Sequence, residues 1–198
     1  MIRLLFVGDG ERDAATNPHL ATVITGASVD PTTRPWARLN EAGRGYDRKL
    51  LFAILQAREA SLDGVVATVD RDTSHGRDRL RDLQAARAKD REKHAPLPTA
   101  LGFADPHAEA WLLDDPVAVR TALRLPADLD IPTVRQVKSP KGEIARLHAT
   151  SPRSGEPVRA VLVGIARSLS VDRCQHGRET GFSHFVDDVR DEIGPLIR

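Results

Sequence analysis

The segment that most constrains the fold is 63–73, DGVVATVDRDT, in which an apolar run stops at two aspartates. Four to eight apolar and β-branched residues bounded by a glycine and a turn are typical of a strand that is buried on both faces of a parallel sheet. Ligands of open parallel sheets bind at the carboxyl ends of the strands. Asp70 and Asp72 therefore lie where a functional site is expected.

Asp70 and Asp72 also point to the same side, because residues i and i+2 of an extended segment share a face. Two carboxylates this close repel each other unless a cation joins them. Mg²⁺ is the obvious cation, since it prefers hard oxygen ligands and is usually held by one or two carboxylates with water and substrate phosphate. The alternative interpretation is a solvated, Asp-rich turn at the end of a strand.

Length and composition set the broad class. A chain of 198 residues, 40% hydrophobic and 29% charged, is long enough for one folded unit with a substantial core. Cys174 is the single cysteine, which excludes an intrachain disulfide and a thiolate zinc cluster and fits a reducing compartment. Without an apolar stretch of about 18–20 residues, we expect a cytoplasmic protein that makes no membrane contact.

Strand-like and helix-like patterns alternate along the first 125 residues and predict an α/β fold with a mainly parallel, four-stranded sheet flanked by helices. The remaining residues, 126–198, predict a helical C-terminal extension packed on that core. The predicted strands are 2–7, 64–69 and 98–103, with a further short strand near 36–39. The predicted helices are 17–25, with Asn17 as N-cap and Pro18 in the first turn, then 46–60, 75–94, 140–149, 157–169 and 179–193.

Another helix is predicted to begin at Asp105, with Pro106 in its first position. Glu109 then shares a helical face with Leu112 and Leu113, which places its carboxylate on the side that packs inward. A carboxylate on an apolar face needs a partner. That partner is either a metal shared with Asp70 and Asp72 or, in the simpler interpretation, the dipole of the helix N-terminus.

Charge is distributed unevenly although the net charge is only +1. The loop 9–13 carries three acids in five residues, whereas 133–178 holds nine Lys or Arg against three Asp or Glu, an excess of six (9 − 3). An acidic cluster beside a basic flank suits a metal-dependent enzyme that acts on nucleic-acid phosphates, although an ordinary solvated surface is the alternative. The expected nucleic-acid contacts are Arg135, Lys138, Lys141 and Arg146.

Together the acidic motifs resemble the Toprim fold, the catalytic domain of topoisomerases, primases and a group of bacterial nucleases. That family carries an acid-Gly-x-x-acid motif after its first strand and Asp-x-Asp after a later one. Here 9–13 (DGERD) matches the first motif, with Asp9 in place of the usual Glu, and 70–72 (DRD) matches the second. Asp13 is the second acid of the first motif. Because Asp9 is the shorter acid, either the metal lies closer to the first strand or Glu11 takes over its role.

The resemblance narrows to a Toprim-like family of bacterial proteins often linked to phage defence, through 104–113 (ADPHAEAWLL) and 138–141 (KSPK). It implies a Toprim-like catalytic core over 1–125 and Mg²⁺ or Mn²⁺ bound by four acids. It also implies phosphodiester cleavage, with Lys138 or Lys141 neutralising charge on the scissile phosphate. The implied metal ligands are Asp9, Asp70, Asp72 and Glu109, and His107 is either a proton shuttle or a surface histidine.

Two other functions remain open from the sequence. Asp70-Arg71-Asp72-Thr73 also resembles the nucleophile motif of haloacid-dehalogenase-type phosphatases, but the order of the motifs would then require a circular permutation. The second is a non-catalytic nucleic-acid-binding or regulatory subunit of a larger defence complex that includes an ATPase. For either function, the expected protein partner is a second copy of the chain or an ATPase. The Asp-for-Glu change at Asp9 favours this second function.

Overall fold

The computed structural model describes residues 1–71 and 76–197, and the side chains of 76–78 are not described. Asp72 therefore lies outside the described residues. The four strands form one sheet in the order β2-β1-β3-β4, and every neighbouring pair is parallel. The strands are β1 (Ile2–Gly8), β2 (Val29–Pro35), β3 (Gly64–Asp70) and β4 (Thr99–Ala104).

Helices flank the sheet and continue as a helical region after β4. The first three are α1 (Glu11–Thr25), α2 (Tyr46–Glu59) and α3 (Gly76–Lys93). The six that follow are α4 (Ala108–Leu113), α5 (Pro116–Leu123), α6 (Pro140–Ala149), α7 (Val158–Ser168), α8 (Gly177–Thr180) and α9 (Phe182–Glu192). The predicted fold class, a four-stranded sheet flanked by helices with a helical C-terminal region, is confirmed, and the sheet is parallel throughout.

Both faces of the sheet are covered, because alternate residues of each strand enter different apolar clusters. Leu4 and Phe6 of β1 pack with α1, α4 and the C-terminal helices, whereas Leu5 and Val7 pack with α2 and α3. The β-branched run of β3 is buried from Gly64 to Val69, as its apolar pattern predicts. Since all strands are parallel, the segments that follow β1, β3 and β4 emerge at the same edge of the sheet.

The position of the second strand differs from the prediction. The strand precedes Trp36, and 36–39 lies in a 3₁₀ helix, Trp36–Ala42. Trp36 is turned into the protein, where its indole Nε1 donates a hydrogen bond to the Thr68 carbonyl oxygen over 2.8 Å. A buried indole N–H needs an acceptor, and this tertiary contact outweighs the local strand preference of the segment.

The first helix begins six residues earlier than predicted, at Glu11 instead of Asn17. Asn17 is not an N-cap: it is buried inside α1, and its Nδ2 donates to the Thr68 hydroxyl over 2.8 Å. The true start is stabilised by Asp13, whose Oδ2 accepts the Gly10 backbone N–H over 3.0 Å. The segment 9–13, for which the sequence predicts an acidic loop, is therefore largely the first turn of α1.

The predicted helix start at Asp105 is also wrong, because α4 begins at Ala108 with His107 as its N-cap. The Asp105 carboxylate forms an ion pair with Arg71 and does not cap the helix. The predicted helix 179–193 is divided into α8 and α9 at Gly181, whose φ of 81° lies in the left-handed region that favours glycine. The predictions for 46–60, 75–94, 140–149 and 157–169 agree with α2, α3, α6 and α7 to within one or two residues.

The open edge of β4 is covered by the C-terminal helices. Asp188 of α9 accepts the Leu101 N–H over 2.6 Å, and Glu192 accepts the Thr99 N–H over 3.3 Å. Asp188 also pairs with Arg87 of α3 at 2.6 Å. An uncovered edge strand exposes a row of unpaired backbone groups, so these acids protect the sheet from pairing with another chain.

Within the described ranges, no helix is long and apolar enough to cross a membrane. The division of the chain at residue 125 stays a prediction. One apolar cluster nevertheless contains Leu4 of β1 together with Ile165 of α7 and Val189 of α9.

Replacing Asp188 with Ala should lower the free energy of unfolding by about 2 kcal/mol, because it leaves the Leu101 N–H and the partly buried Arg87 without their shared acceptor. Urea unfolding followed by circular dichroism measures this change. Asp187→Ala is the matched control, since Asp187 is the exposed neighbour on the same helix. Equal effects of the two variants would show that the contact with β4 is unimportant.

Candidate functional site

A cleft of about 390 Å³ opens at the carboxyl edge of the sheet, and its walls are mainly acidic. It brings together the end of β1, the start of α1, the end of β3 and the start of α4, with α6 on the far side. The residues that line it are Asp9, Gly10, Glu11, Arg12, Asp13, Asp70, Glu109 and Lys141. All of the acids predicted for the site that the structure describes are in this cleft.

Gly8 permits the close approach of α1 to the end of β1. A Cβ atom at Gly8 would lie 2.9 Å from the Cβ of Asp13 and 3.2 Å from the Ala14 backbone nitrogen. Real Cβ atoms essentially never come so near, so a larger residue would push the first turn of α1 away. The glycine thus brings Asp13 beside the strand end and into the acidic cleft.

Asp9 is bound on both of its oxygen atoms. Its Oδ2 accepts the backbone N–H of Asp70 over 2.6 Å, and its Oδ1 accepts the Tyr46 hydroxyl over 3.1 Å. Arg79 of α3 lies 3.6 Å from the same Oδ2. Asp9 therefore links the ends of β1 and β3, and each of its oxygens accepts one hydrogen bond from the protein itself.

A supporting layer of side chains, which no sequence pattern predicts, lies behind Asp9. It consists of Tyr46, Arg79 and Trp36. The Arg79 guanidinium lies 5.1 Å from the centre of the Tyr46 ring and donates to the Asp70 carbonyl oxygen over 3.2 Å. Tyr46 in turn packs edge-on against Trp36, with 5.3 Å between the ring centres. These residues are distant from Asp9 in the sequence, and no local spacing signals their contact.

Asp70 faces the start of α4. Its Oδ1 accepts the Ala108 backbone N–H over 3.2 Å, and its Oδ2 lies 3.4 Å from Nδ1 of His107. Burial, together with the nearby charges of Asp13, Asp9 and Glu109, raises the pKa of Asp70 to about 8. In the absence of a cation, this carboxyl group is largely protonated at neutral pH.

Asp13 and Glu109 complete the acidic wall. Burial, followed by repulsion from Glu109, raises the pKa of Asp13 to about 6, while the nearby Lys141 acts in the opposite direction. Glu109 is only 7% exposed and lies on the inward face of α4, as its spacing from Leu112 and Leu113 predicts. Asp13, Asp70 and Glu109 interact with one another electrostatically, and two cationic side chains, Arg12 and Lys141, line the same cleft.

The chemistry of these donors fits Mg²⁺ or Mn²⁺, because all of them are hard carboxylate oxygens at a cleft that solvent can enter. Among the described residues, no group of three or more His, Cys, Asp or Glu side chains is already arranged to hold a metal ion. Mg²⁺ does not require such a group, since one or two carboxylates with several water molecules usually suffice. Asp72, the remaining predicted ligand, lies outside the described residues.

The predicted basic residues are divided between several places. Lys141 enters the acidic cleft from the first turn of α6, whereas Lys138 and Arg135 line a neighbouring cleft beside Pro106 and Glu179. Arg135 forms an ion pair with Glu179, and Arg146 pairs with Glu143 one turn away on α6. Arg153 and Arg173 are also paired, with Glu156 and Asp115. The free positive charge of 133–178 is thus smaller than its composition suggests.

Comparisons of this chain with protein-family models, with curated proteins and with solved structures give no match. What can be said of its function therefore depends on the site and on the sequence motifs that form it.

The free energy of unfolding of the metal-free protein should fall as the pH rises from about 4 to about 8. Asp70 and Asp13 have folded-state pKa values above the usual 3.8, so their ionisation costs nothing below pH 4 and opposes folding increasingly up to pH 8. Asp70→Asn should flatten this decline and raise the melting temperature at pH 8. Urea titrations at several pH values in the presence of a chelator measure the effect.

Asp172→Asn is the control for this experiment, because Asp172 is exposed and does not line the cleft. A decline with pH that is as steep in Asp70→Asn as in the unmodified protein would remove Asp70 as its source.

Proposed function

We propose that this protein is a divalent-metal-dependent phosphodiesterase that cleaves nucleic acid. The observation that carries the proposal is the crowding of Asp13, Asp70 and Glu109 at the carboxyl edge of the sheet, where two of them have strongly raised pKa values. Such crowding opposes folding, although Asp13 and Asp70 each accept one backbone N–H at the start of a helix. Sites of this kind are typical of functional centres whose charge is balanced by a ligand.

The resemblance to Toprim proteins adds support from the positions of the motifs. The acid-Gly-x-x-acid motif, Asp9 to Asp13, follows β1, and the Asp-x-Asp motif begins with Asp70 at the end of β3. Both occur at the same edge of an all-parallel sheet. By this resemblance, a role in bacterial phage defence belongs to the same proposal.

The residues divide into ligands and supporting groups. Asp13, Asp70 and Glu109 are the carboxylates that would hold Mg²⁺ or Mn²⁺, whereas Asp9 positions the Asp70 backbone through its accepted N–H. The bound ion would supply activation of a water molecule and stabilisation of the leaving oxygen. Asp70 must lose its proton before it can act as a ligand, and the nearby, partly exposed His107 is placed to pass that proton to the solvent.

Lys141 and Lys138 are the groups expected to contact the substrate backbone. Lys141 lies across the cleft from the acids, in the first turn of a helix whose backbone N–H groups also favour anions. Lys138 lies three residues earlier and lines the adjoining cleft. Phosphate contacts of this kind fix the substrate without reading its sequence, so we propose recognition through the backbone.

One observation favours a second function, that of a non-catalytic binding or regulatory subunit. Both oxygens of Asp9 already accept hydrogen bonds, from Asp70 and Tyr46, and Arg79 lies 3.6 Å from one of them, so the first acid of the Toprim-like motif has partners within the protein itself. A protein that retains the fold but only binds nucleic acid would tolerate the shorter Asp9 in place of the usual Glu. The two functions differ in whether the acidic cleft is needed for a reaction.

Purified protein with Mg²⁺ or Mn²⁺ should cleave at least one of plasmid DNA, single-stranded RNA and tRNA, and a chelator should stop the cleavage. Asp70→Asn and Glu109→Gln should each abolish it while leaving nucleic-acid affinity unchanged or higher, because they remove ligands and add no charge that repels phosphate. Gel assays of cleavage and anisotropy measurements of binding separate the two effects. Cleavage that survives both changes would contradict the metal-dependent mechanism.

Lys138→Ala and Lys141→Ala should each weaken nucleic-acid binding to a similar degree for all sequences and reduce the slope of log affinity against log salt concentration by about one. Arg146→Ala is the control on the same helix, because Arg146 is paired with Glu143 and lies outside both clefts. An equal reduction of the slope by Arg146→Ala would show that Lys138 and Lys141 do not contact phosphate any more than a paired surface arginine does.

A further inference from the structure

A second groove, of about 420 Å³, lies between α2 and α3 on the outside of the protein. Its floor is formed by Leu51 and Leu55 of α2, and Leu55 is 50% exposed. A large apolar side chain this exposed is uncommon here: among the described residues, the other large apolar side chains with comparable exposure are Met1 and Val117. The proposed phosphodiesterase activity gives no function to this groove.

The rim of this groove is positively charged. Lys89 and Lys93 of α3 are exposed, and within the described part of the chain neither has a carboxylate partner. The acid in the wall, Asp90, is buried and already bound to Arg58 at 2.7 Å and to His94 at 3.3 Å. The groove therefore presents an apolar floor with two lysine charges that the protein does not balance.

The spacing of these side chains is that of one helical turn. Leu51 and Leu55 are four residues apart on α2, and Lys89 and Lys93 are four residues apart on α3, so each pair forms a row along its helix. A third helix in the groove would match this spacing with its own i and i+4 positions. Its leucine-like residues would face the floor, and its acids would meet the lysines.

The groove is also separated from the acidic cleft. Both α2 and α3 run from the carboxyl edge of the sheet to its amino edge, because α2 leads into β3 and α3 leads from β3 to β4. Lys89, Lys93 and Leu55 belong to the later turns of these helices, near the amino edge. An occupant of the groove would leave the cleft open to substrate.

We propose that this groove binds an acidic amphipathic helix of a partner protein, with apolar residues at i and i+4 and carboxylates beside them. The positive charge of the rim favours a negatively charged partner, and the two rows of side chains favour a partner with helical spacing. This inference does not depend on the proposed enzymatic activity, since it uses neither the acidic cleft nor any residue assigned to catalysis or substrate binding.

A fluorescein-labelled synthetic helix of about 15 residues, with two leucines four apart flanked by glutamates, is the probe. Fluorescence anisotropy should show binding that weakens with salt. It should weaken about tenfold in Leu55→Ser and at least as much in the double variant Lys89→Glu, Lys93→Glu. Val117→Ser and the double variant Arg159→Glu, Arg178→Glu are the matched controls, because these three residues are exposed and lie outside the groove.

The same peptide with lysines in place of its glutamates should bind at least tenfold more weakly than the acidic peptide. Equal binding of the two peptides, or binding that the groove variants leave unchanged, would overturn the proposal. Sedimentation with vesicles of phosphatidylglycerol and phosphatidylcholine tests whether the groove binds a lipid surface. Sedimentation equilibrium of the protein alone tests whether it binds a second copy of the chain. Groove-dependent binding in either assay without binding of the acidic peptide would also overturn it.

Discussion

The hydrogen bond from the Asp70 backbone N–H to the Asp9 carboxylate is the contact on which the site depends. It joins the ends of two neighbouring parallel strands at the edge where α1 and α4 begin. Because the sheet is parallel throughout, the loops after β1, β3 and β4 share one edge, and their acids lie close together. Gly8 then allows α1 to approach closely enough to add Asp13 to this group.

This arrangement has a cost in stability that the remainder of the fold offsets. Burial and mutual repulsion raise the pKa values of Asp70 and Asp13, whereas both faces of the sheet are covered by apolar clusters. The C-terminal helices contribute by packing on one face and by covering the edge of β4 with Asp188. The apolar clusters therefore stabilise the protein, whereas the acidic edge, for which we propose a metal ligand, opposes folding.

Much of this structure can be predicted from the sequence, because apolar periodicity reports burial directly. The buried run of β3, the amphipathic α2 and the inward position of Glu109 all follow from spacing alone. The start of α1 could not be predicted: Asn17 and Pro18 form a good local helix start, but Asn17 is needed in the interior as a donor to Thr68. The contact of Asp9 with Tyr46 likewise joins segments that no local pattern connects.

We propose above all that a buried, largely protonated Asp70 becomes a ligand when a divalent cation enters the cleft. Calorimetric titration with Mn²⁺ at pH 7, in two buffers of different ionisation enthalpy, counts the protons released on binding. A pKa of about 8 predicts the release of about one proton, and the loss of that release in Asp70→Asn. Binding without proton release, or release that is unchanged in Asp70→Asn, would contradict the account.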